Sequence, residues 1–276
     1  MTYRNLYEYG VSRLQEAGIE EAKLDARRLL EYVCHTDQNA LLVYGDCERN
    51  IEEEQLFKKF IDTRVSRVPL QYIIGEQEFM GLTFRVNRHT LIPRQDTEIL
   101  VEEGLKRLSE GMRVLDMCTG SGCILLSLLY FCKGCYGTGA DISEEALKIA
   151  RENAKLIEQK VEFVQGDLFE NLSGEKYDMI VSNPPYIETA VIETLMPEVR
   201  EYEPMQALDG MEDGLFFYQK IVEKAGEFLV DGGWLLFEIG YNQGEAVKAM
   251  MLERGFSQVE VKKDYAGLDR VVLGQL

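Results

Sequence analysis

Apolar residues recur at helical spacing through the first quarter of the chain. Leu6, Tyr9, Val11 and Leu14 form one set before Gly18, and Ala22, Ala26, Leu29, Leu30 and Val33 form a second. Ile51, Leu56, Phe60 and Ile61 form a third, with Asn39, Gly45 and Asn50 as breaks between sets. The pattern predicts a small helical bundle over residues 1–70, with no chemical motif of its own.

The period then shortens. Phe79, Leu82, Phe84 and Val86, punctuated by Gly75 and Gly81, predict a β-hairpin in a linker over residues 71–95. From residue 96 to 276 strand and helix patterns alternate. The strands are Arg113–Met117, Tyr136–Asp141, Val161–Gly166, Tyr177–Ser182 and Gly233–Ile239, with a final pair at Phe256–Val261 and Asp269–Leu273. Helical patterns at Cys123–Cys132, Glu144–Ile157, Leu215–Phe228 and Gly244–Arg254 lie between them. Alternation of this kind implies a doubly wound α/β domain whose last strands form an antiparallel edge.

Charge narrows the classes of substrate. The 276 residues carry 30 Lys and Arg against 48 Asp and Glu, a net charge of -18. Nucleic acid is bound chiefly by neutralising its phosphates, so this balance argues against a direct nucleic-acid partner. The longest apolar run, Cys123 to Cys132, is about half of what a bilayer needs, and Met1 to Gly10 is too polar for a signal sequence. No membrane association and a cytoplasmic location are expected. Six cysteines include one C-x-x-C pair, Cys132 and Cys135, without the second pair or histidine of a zinc set. They read as reduced thiols, and no metal is expected.

Candidate chemistry sits at strand ends. The first strand of the α/β region runs into Asp116-Met117-Cys118-Thr119-Gly120-Ser121-Gly122, and a helix follows at once. Glycines at such a turn let a ligand approach the backbone, and the helix start offers free N–H groups. Asp141 ends the second strand, where a carboxylate can accept ribose hydroxyls. Asp167 and Leu168 follow the third and could meet an adenine. The turn lacks the last glycine of a dinucleotide fingerprint, and an acid beside it suits a cationic ligand better than a pyrophosphate. These features point to S-adenosylmethionine.

The fourth strand ends in Asn183-Pro184-Pro185-Tyr186. Each proline gives up its N–H and pushes the preceding residue towards extended backbone. The segment therefore presents carbonyls, one amide side chain and one ring, which suits a planar NH₂ held by its hydrogens. A proline-terminated strand entering a plain loop is the alternative.

With these motifs in order, the chain resembles the bacterial protein-glutamine methyltransferases that modify class I peptide chain release factors. The resemblance runs from about Pro69 to the C-terminus: PLQYIIGEQEFMGLTF, LIPR with Thr97-Glu98, LDMCTGSG, ADISEEAL, GDLF, VSNPPYI, EPMQALDG with DGLFFY, FEIG with Gln243, and DRVV. It implies a seven-stranded Rossmann-like methyltransferase domain; the helical bundle before it fits the family's architecture and is expected to dock substrate, with a structural cap as the alternative. It also implies S-adenosylmethionine as methyl donor and the glutamine of a release factor's Gly-Gly-Gln loop as acceptor. Asp116, Cys118, Thr119, Gly120, Ser121, Gly122, Asp141, Asp167, Leu168 and Asn183 would then line the cofactor. Asn183, Pro184, Pro185 and Tyr186 would hold the glutamine. Three residues depart from the family pattern: Cys118 and Met211 stand where glycine is usual, and Gln95 where proline is usual.

An amide nitrogen is a poor nucleophile, and the two histidines, His35 and His89, lie outside the strand ends. The expected mechanism is therefore orientation and electrostatics. The Asn183 side-chain oxygen and the Pro184 carbonyl would accept the two amide hydrogens, with Tyr186 stacked on the amide. The acids between Glu188 and Asp213 form a candidate rim that steers a basic protein surface. The competing expectation is a methyltransferase of adenine or cytosine amino groups, which present the same geometric problem.

Overall fold

The computed structural model describes residues 1–276. It divides into two compact units, Met1–Gly75 together with Pro197–Tyr202, and Glu76–Met196 together with Glu203–Leu276.

The first unit is helical. Helices Tyr3–Glu16, Ala22–Cys34 and Ile51–Val65 bury Leu6, Leu14, Ala26, Leu29, Leu30, Phe57 and Ile61 between them. The periodic sets anticipated these three. Two short helices, Gln38–Val43 and Leu70–Ile74, escaped the periodic pattern because neither has a buried stripe. Thr2 and Asp37 cap helix starts, and Asn50 and Glu53 form a reciprocal capping box. The helix Pro197–Tyr202, far away in sequence, joins this unit through buried charge. Arg64 reaches Asp25 at 2.7 Å and Glu198 at 3.0 Å, and Arg67 adds a bond to Glu198 at 3.2 Å. Burial pushes the Glu198 carboxyl up, but its backbone bond and the two guanidinium groups hold it below the usual range.

In the second unit, strands β1 (Glu76–Phe79) and β2 (Leu82–Arg85) form the hairpin. The hairpin is no free linker. Phe79 and Phe84 are buried in the core of this unit, and Arg85 N–H donates to Asn153 Oδ1 at 2.7 Å. The Asn153 amide in turn donates to the Ser121 carbonyl at 2.9 Å, bracing the glycine turn.

The main sheet contains β3 (Arg113–Met117), β4 (Tyr136–Asp141), β5 (Val161–Gln165), β6 (Tyr177–Ser182), β7 (Leu229–Glu238), β8 (Ser257–Lys263) and β9 (Asp269–Gln275). Its order is β5-β4-β3-β6-β7-β9-β8, and β9 runs antiparallel to both of its neighbours. The strand β7 begins at Leu229, earlier than the apolar run suggests, because Leu229 pairs with Tyr177 ahead of an irregularity at the glycines. Alternate residues feed two cores. Val114, Met179, Val181, Leu236 and Val271 enter one, and Leu115, Met117, Ile180, Phe237 and Val272 enter the other. A sheet covered on both faces needs apolar side chains at every position, which is why these strands read as continuous apolar runs.

The order reverses between β3 and β6, with β4 and β5 on one side and β7 on the other. Open α/β sheets bind ligands outside the carboxyl ends of their strands at such a point. Met117 sits in register with both Ala140 and Ser182, so Cys118, Asp141 and Asn183 leave the sheet side by side.

Candidate active site

At the carboxyl ends of β3, β4, β5 and β6 lies a cleft of about 580 Å³. Its floor is the turn from Cys118 to Gly122. Asp141 Oδ2 accepts the Gly120 N–H at 2.8 Å, and Asp141 Oδ1 accepts the Ser143 N–H at 2.9 Å. Each oxygen keeps lone-pair capacity for a hydroxyl pair. Burial raises the Asp141 carboxyl, and the backbone N–H groups pull it back. A Cβ added at Gly120 would meet nothing within 4 Å, so the turn leaves a cradle open there.

Asp116 does not line this cleft, contrary to expectation. It is fully buried behind the turn, where Oδ2 accepts the Thr119 hydroxyl at 2.5 Å and Oδ1 has no partner. Burial lifts its carboxyl to about 7, against the opposing Thr119 bond. Its work is to hold Thr119. The other expected cofactor residues, Cys118, Thr119, Gly120, Ser121, Asp141, Asp167, Leu168 and Asn183, do line the cleft, while Gly122 packs behind it against Ala150 and Leu126. Cys118 adopts φ +61° and Met211 φ +71°. Both are left-handed, the conformation that glycine adopts without a steric cost.

The proline segment is held from several sides. The Ser182 hydroxyl donates to the Met117 carbonyl at 2.6 Å. The Gln243 amide donates to the Tyr186 carbonyl at 3.0 Å and to the Gly214 carbonyl at 3.2 Å. Ile187 exchanges backbone bonds with Leu208 and Gly210 at 3.0 and 2.8 Å. A Cβ at Gly214 would lie 2.4 Å from the Tyr186 carbonyl oxygen, so only glycine allows this approach.

Within this frame Asn183 and Pro185 face the cleft. Asn183 Nδ2 points to the Thr97 hydroxyl at 3.5 Å, and its Oδ1 takes no hydrogen from the chain. Pro184 and Tyr186 are absent from the cleft walls. Tyr186 is partly buried, packs against the core and donates its hydroxyl to Glu238 at 3.2 Å, so it does not stand free to stack on a ligand. Sequence reasoning assigned no role to Thr97, Glu238, Gln243 or Asn153. Glu238 stands in the FEIG segment, Gln243 three residues after it and Thr97 three residues after LIPR, but their partners are remote in the chain.

The acidic rim is also smaller than its charge count. Glu198 is buried with Arg64 and Arg67, and Glu203 is buried against Arg94. Asp209 accepts the Thr189 hydroxyl and the Met211 N–H at 2.7 and 2.9 Å. These acids build the loop. Neutralised by Glu203, Arg94 adds no net positive charge to a cleft whose other charged walls are Asp141, Asp167 and Asp209. Open space at Gly120, free capacity on Asp141 and the absence of a basic anchor fit an adenosyl sulfonium and do not fit a pyrophosphate.

Comparison with known proteins points to one family. Residues 5–75 match the family profile described as PrmC N-terminal domain, and residues 95–198 match the methyltransferase small domain. The chain is 43% identical to the release factor glutamine methyltransferase of Geobacter sulfurreducens, over 100% of this chain and 97% of that protein. It is 41% identical to that of Moorella thermoacetica, over 99% of this chain and 98% of the other. A Pyrococcus furiosus methyltransferase structure shares the fold with TM-score 0.54 at 19% identity, covering 71% of this chain and 89% of the other.

Proposed function

The chain belongs to the release factor glutamine methyltransferases, and from that premise we propose how its residues carry out the transfer. It methylates the side-chain amide nitrogen of a glutamine in a peptide chain release factor; we assign that glutamine to the Gly-Gly-Gln loop of class I factors. S-adenosylmethionine, when bound, supplies an electrophilic methyl group. Asp141, Asp167, Leu168 and the turn Cys118–Ser121 hold the adenosyl moiety, on the evidence of the cradle at Gly120 and the spare acceptor capacity of Asp141.

The observation that carries the reading is the orientation of Asn183. Its NH₂ is engaged with Thr97, which leaves Oδ1 as a bare acceptor in the cleft wall. The Pro184 carbonyl also takes no hydrogen from the chain; although Pro184 stands behind the cleft wall, it follows Asn183 directly, and we assign its carbonyl as the second acceptor. Two acceptors holding both hydrogens of an amide fix its plane and favour the positive charge that grows on nitrogen as the new bond forms. The nitrogen loses its proton to solvent after transfer, so no general base is needed. Tyr186 contributes by anchoring the segment through Glu238.

Incubation with labelled methyl donor should label release factor, and should label neither a factor whose loop glutamine is changed nor DNA. Asn183→Ala should lower turnover roughly a hundredfold with little change in calorimetric affinity for S-adenosylmethionine. Loss of that affinity with unchanged turnover per bound cofactor would reject the assignment.

A further inference from the structure

Behind the proline segment lies a buried polar chain that the reaction as described does not use. Thr97 is 2% exposed and Glu238 is 2% exposed. Thr97 Oγ1 receives the Asn183 amide at 3.5 Å. Having accepted there, the hydroxyl must place its single hydrogen elsewhere. On the far side, Glu238 Oε1 takes the Tyr186 hydroxyl at 3.2 Å, while Glu238 Oε2 is buried with no donor in hydrogen-bond geometry. A buried carboxylate oxygen left unpaired is costly; burial raises the Glu238 carboxyl, and the Thr97 hydroxyl, the Arg270 charge and the Tyr186 hydroxyl each pull it back towards the charged form. The two unmet requirements answer one another.

We propose that Glu238 is a positioning residue for methyl transfer, acting through Thr97 to set which way the Asn183 amide faces. This rests on the role assigned to Asn183 above. An asparagine amide is nearly symmetric in shape, and packing alone does not distinguish its oxygen from its nitrogen. A carboxylate accepts and cannot donate, so the Thr97 hydrogen points to Glu238. The Thr97 lone pairs then face Asn183 and select its NH₂. Oδ1 is left towards the cleft, where the substrate amide needs an acceptor. Reversing the polarity at Glu238 reverses the chain: an amide there can donate to Thr97, Thr97 then donates to Asn183, and the Asn183 NH₂ is turned on the substrate's own NH₂. Two donors facing each other cannot bind.

The tests are Glu238→Gln, which keeps shape and inverts polarity, Thr97→Val, which keeps shape and breaks the chain, and Thr97→Ser, which keeps the hydroxyl. Glu238→Gln and Thr97→Val should each lower kcat roughly ten- to a hundredfold. Calorimetric affinity for S-adenosylmethionine, which also reports folding, should change little, and Thr97→Ser should restore most of the rate. Because the residues act through one amide, Thr97→Val should cost nothing further in an Asn183→Ala background. If Asn183→Ala abolishes turnover while Glu238→Gln, folded and binding cofactor, retains it, the inference fails and the role of Asn183 stands. If Asn183→Ala itself leaves turnover intact, the reading beneath it fails. Equal losses from Thr97→Ser and Thr97→Val, or further loss from Thr97→Val in the Asn183→Ala background, would overturn the relay.

Discussion

The buried Ser182 hydroxyl donates to the Met117 carbonyl at 2.6 Å, joining the last residues of β6 and β3 where the strand order reverses. One strand leads into the glycine turn and the other into Asn183. The bond therefore fixes the spacing between the two halves of the reaction. Ser182→Ala leaves a buried carbonyl without its donor and should cost about 1–3 kcal/mol in urea unfolding. Turnover should fall more than cofactor affinity, because it is the relation between the halves that loosens. Unchanged stability and rate would show that the strand ladder alone sets the spacing.

Asp116 predicts a pH dependence of stability. Its folded carboxyl is raised by burial from 3.8 to about 7. The folded state therefore holds the proton more tightly, so this stabilising contribution is full below 3.8 and is lost as pH rises through about 7. Asp116→Asn removes the titration and keeps an acceptor for Thr119. In the cofactor-free protein, the stability of the variant relative to the parent should rise between pH 4 and 8 by an amount on the order of a few kcal/mol. Denaturant midpoints across that range measure it; a difference independent of pH would contradict the burial of Asp116 with one oxygen unpaired.

The left-handed backbone at Cys118, φ +61°, reverses an ordinary ranking. Alanine usually exceeds glycine in stability because it restricts the unfolded chain. Here alanine keeps the steric conflict and glycine removes it, so Cys118→Gly should be more stable than Cys118→Ala by about 1 kcal/mol. Thermal unfolding of the pair decides the point. The thiol itself is pushed up by burial and by the nearby Asp141 and Asp116 charges, so alkylation of Cys118 at pH 8 should be slow.

Arg64 is the shared cation of two buried acids in the helical unit. Arg64→Met strands Asp25 and leaves Glu198 with Arg67 alone, and should cost about 3–5 kcal/mol. Replacing Asp25, Arg64 and Glu198 together with apolar residues of similar size should recover most of that loss. Failure of the triple variant to recover would mean that the triad specifies the position of Pro197–Tyr202 and does more than neutralise charge.

Periodicity and strand-end chemistry are enough to place the α/β alternation, the glycine turn and the row of polar residues at strand ends. The reason is local and periodic: strands covered on both faces must be apolar throughout, and parallel strands deliver their last residues to one edge. Cys118, Asp141, Asp167 and Asn183 could be placed on that rule alone. Which polar groups face the cleft and which support it from behind depends instead on contacts between distant parts of the chain. Asp116 and Tyr186 stand within the same motifs as their neighbours, yet one is buried under the turn and the other is tied to Glu238. Glu198 and Glu203 read as surface acids until Arg64, Arg67 and Arg94 reach them. Asn183 meets Thr97 across 86 residues of chain. Such pairings leave no periodic trace in the sequence, because what fixes them is the need of each buried donor and acceptor for a partner, wherever the chain supplies it.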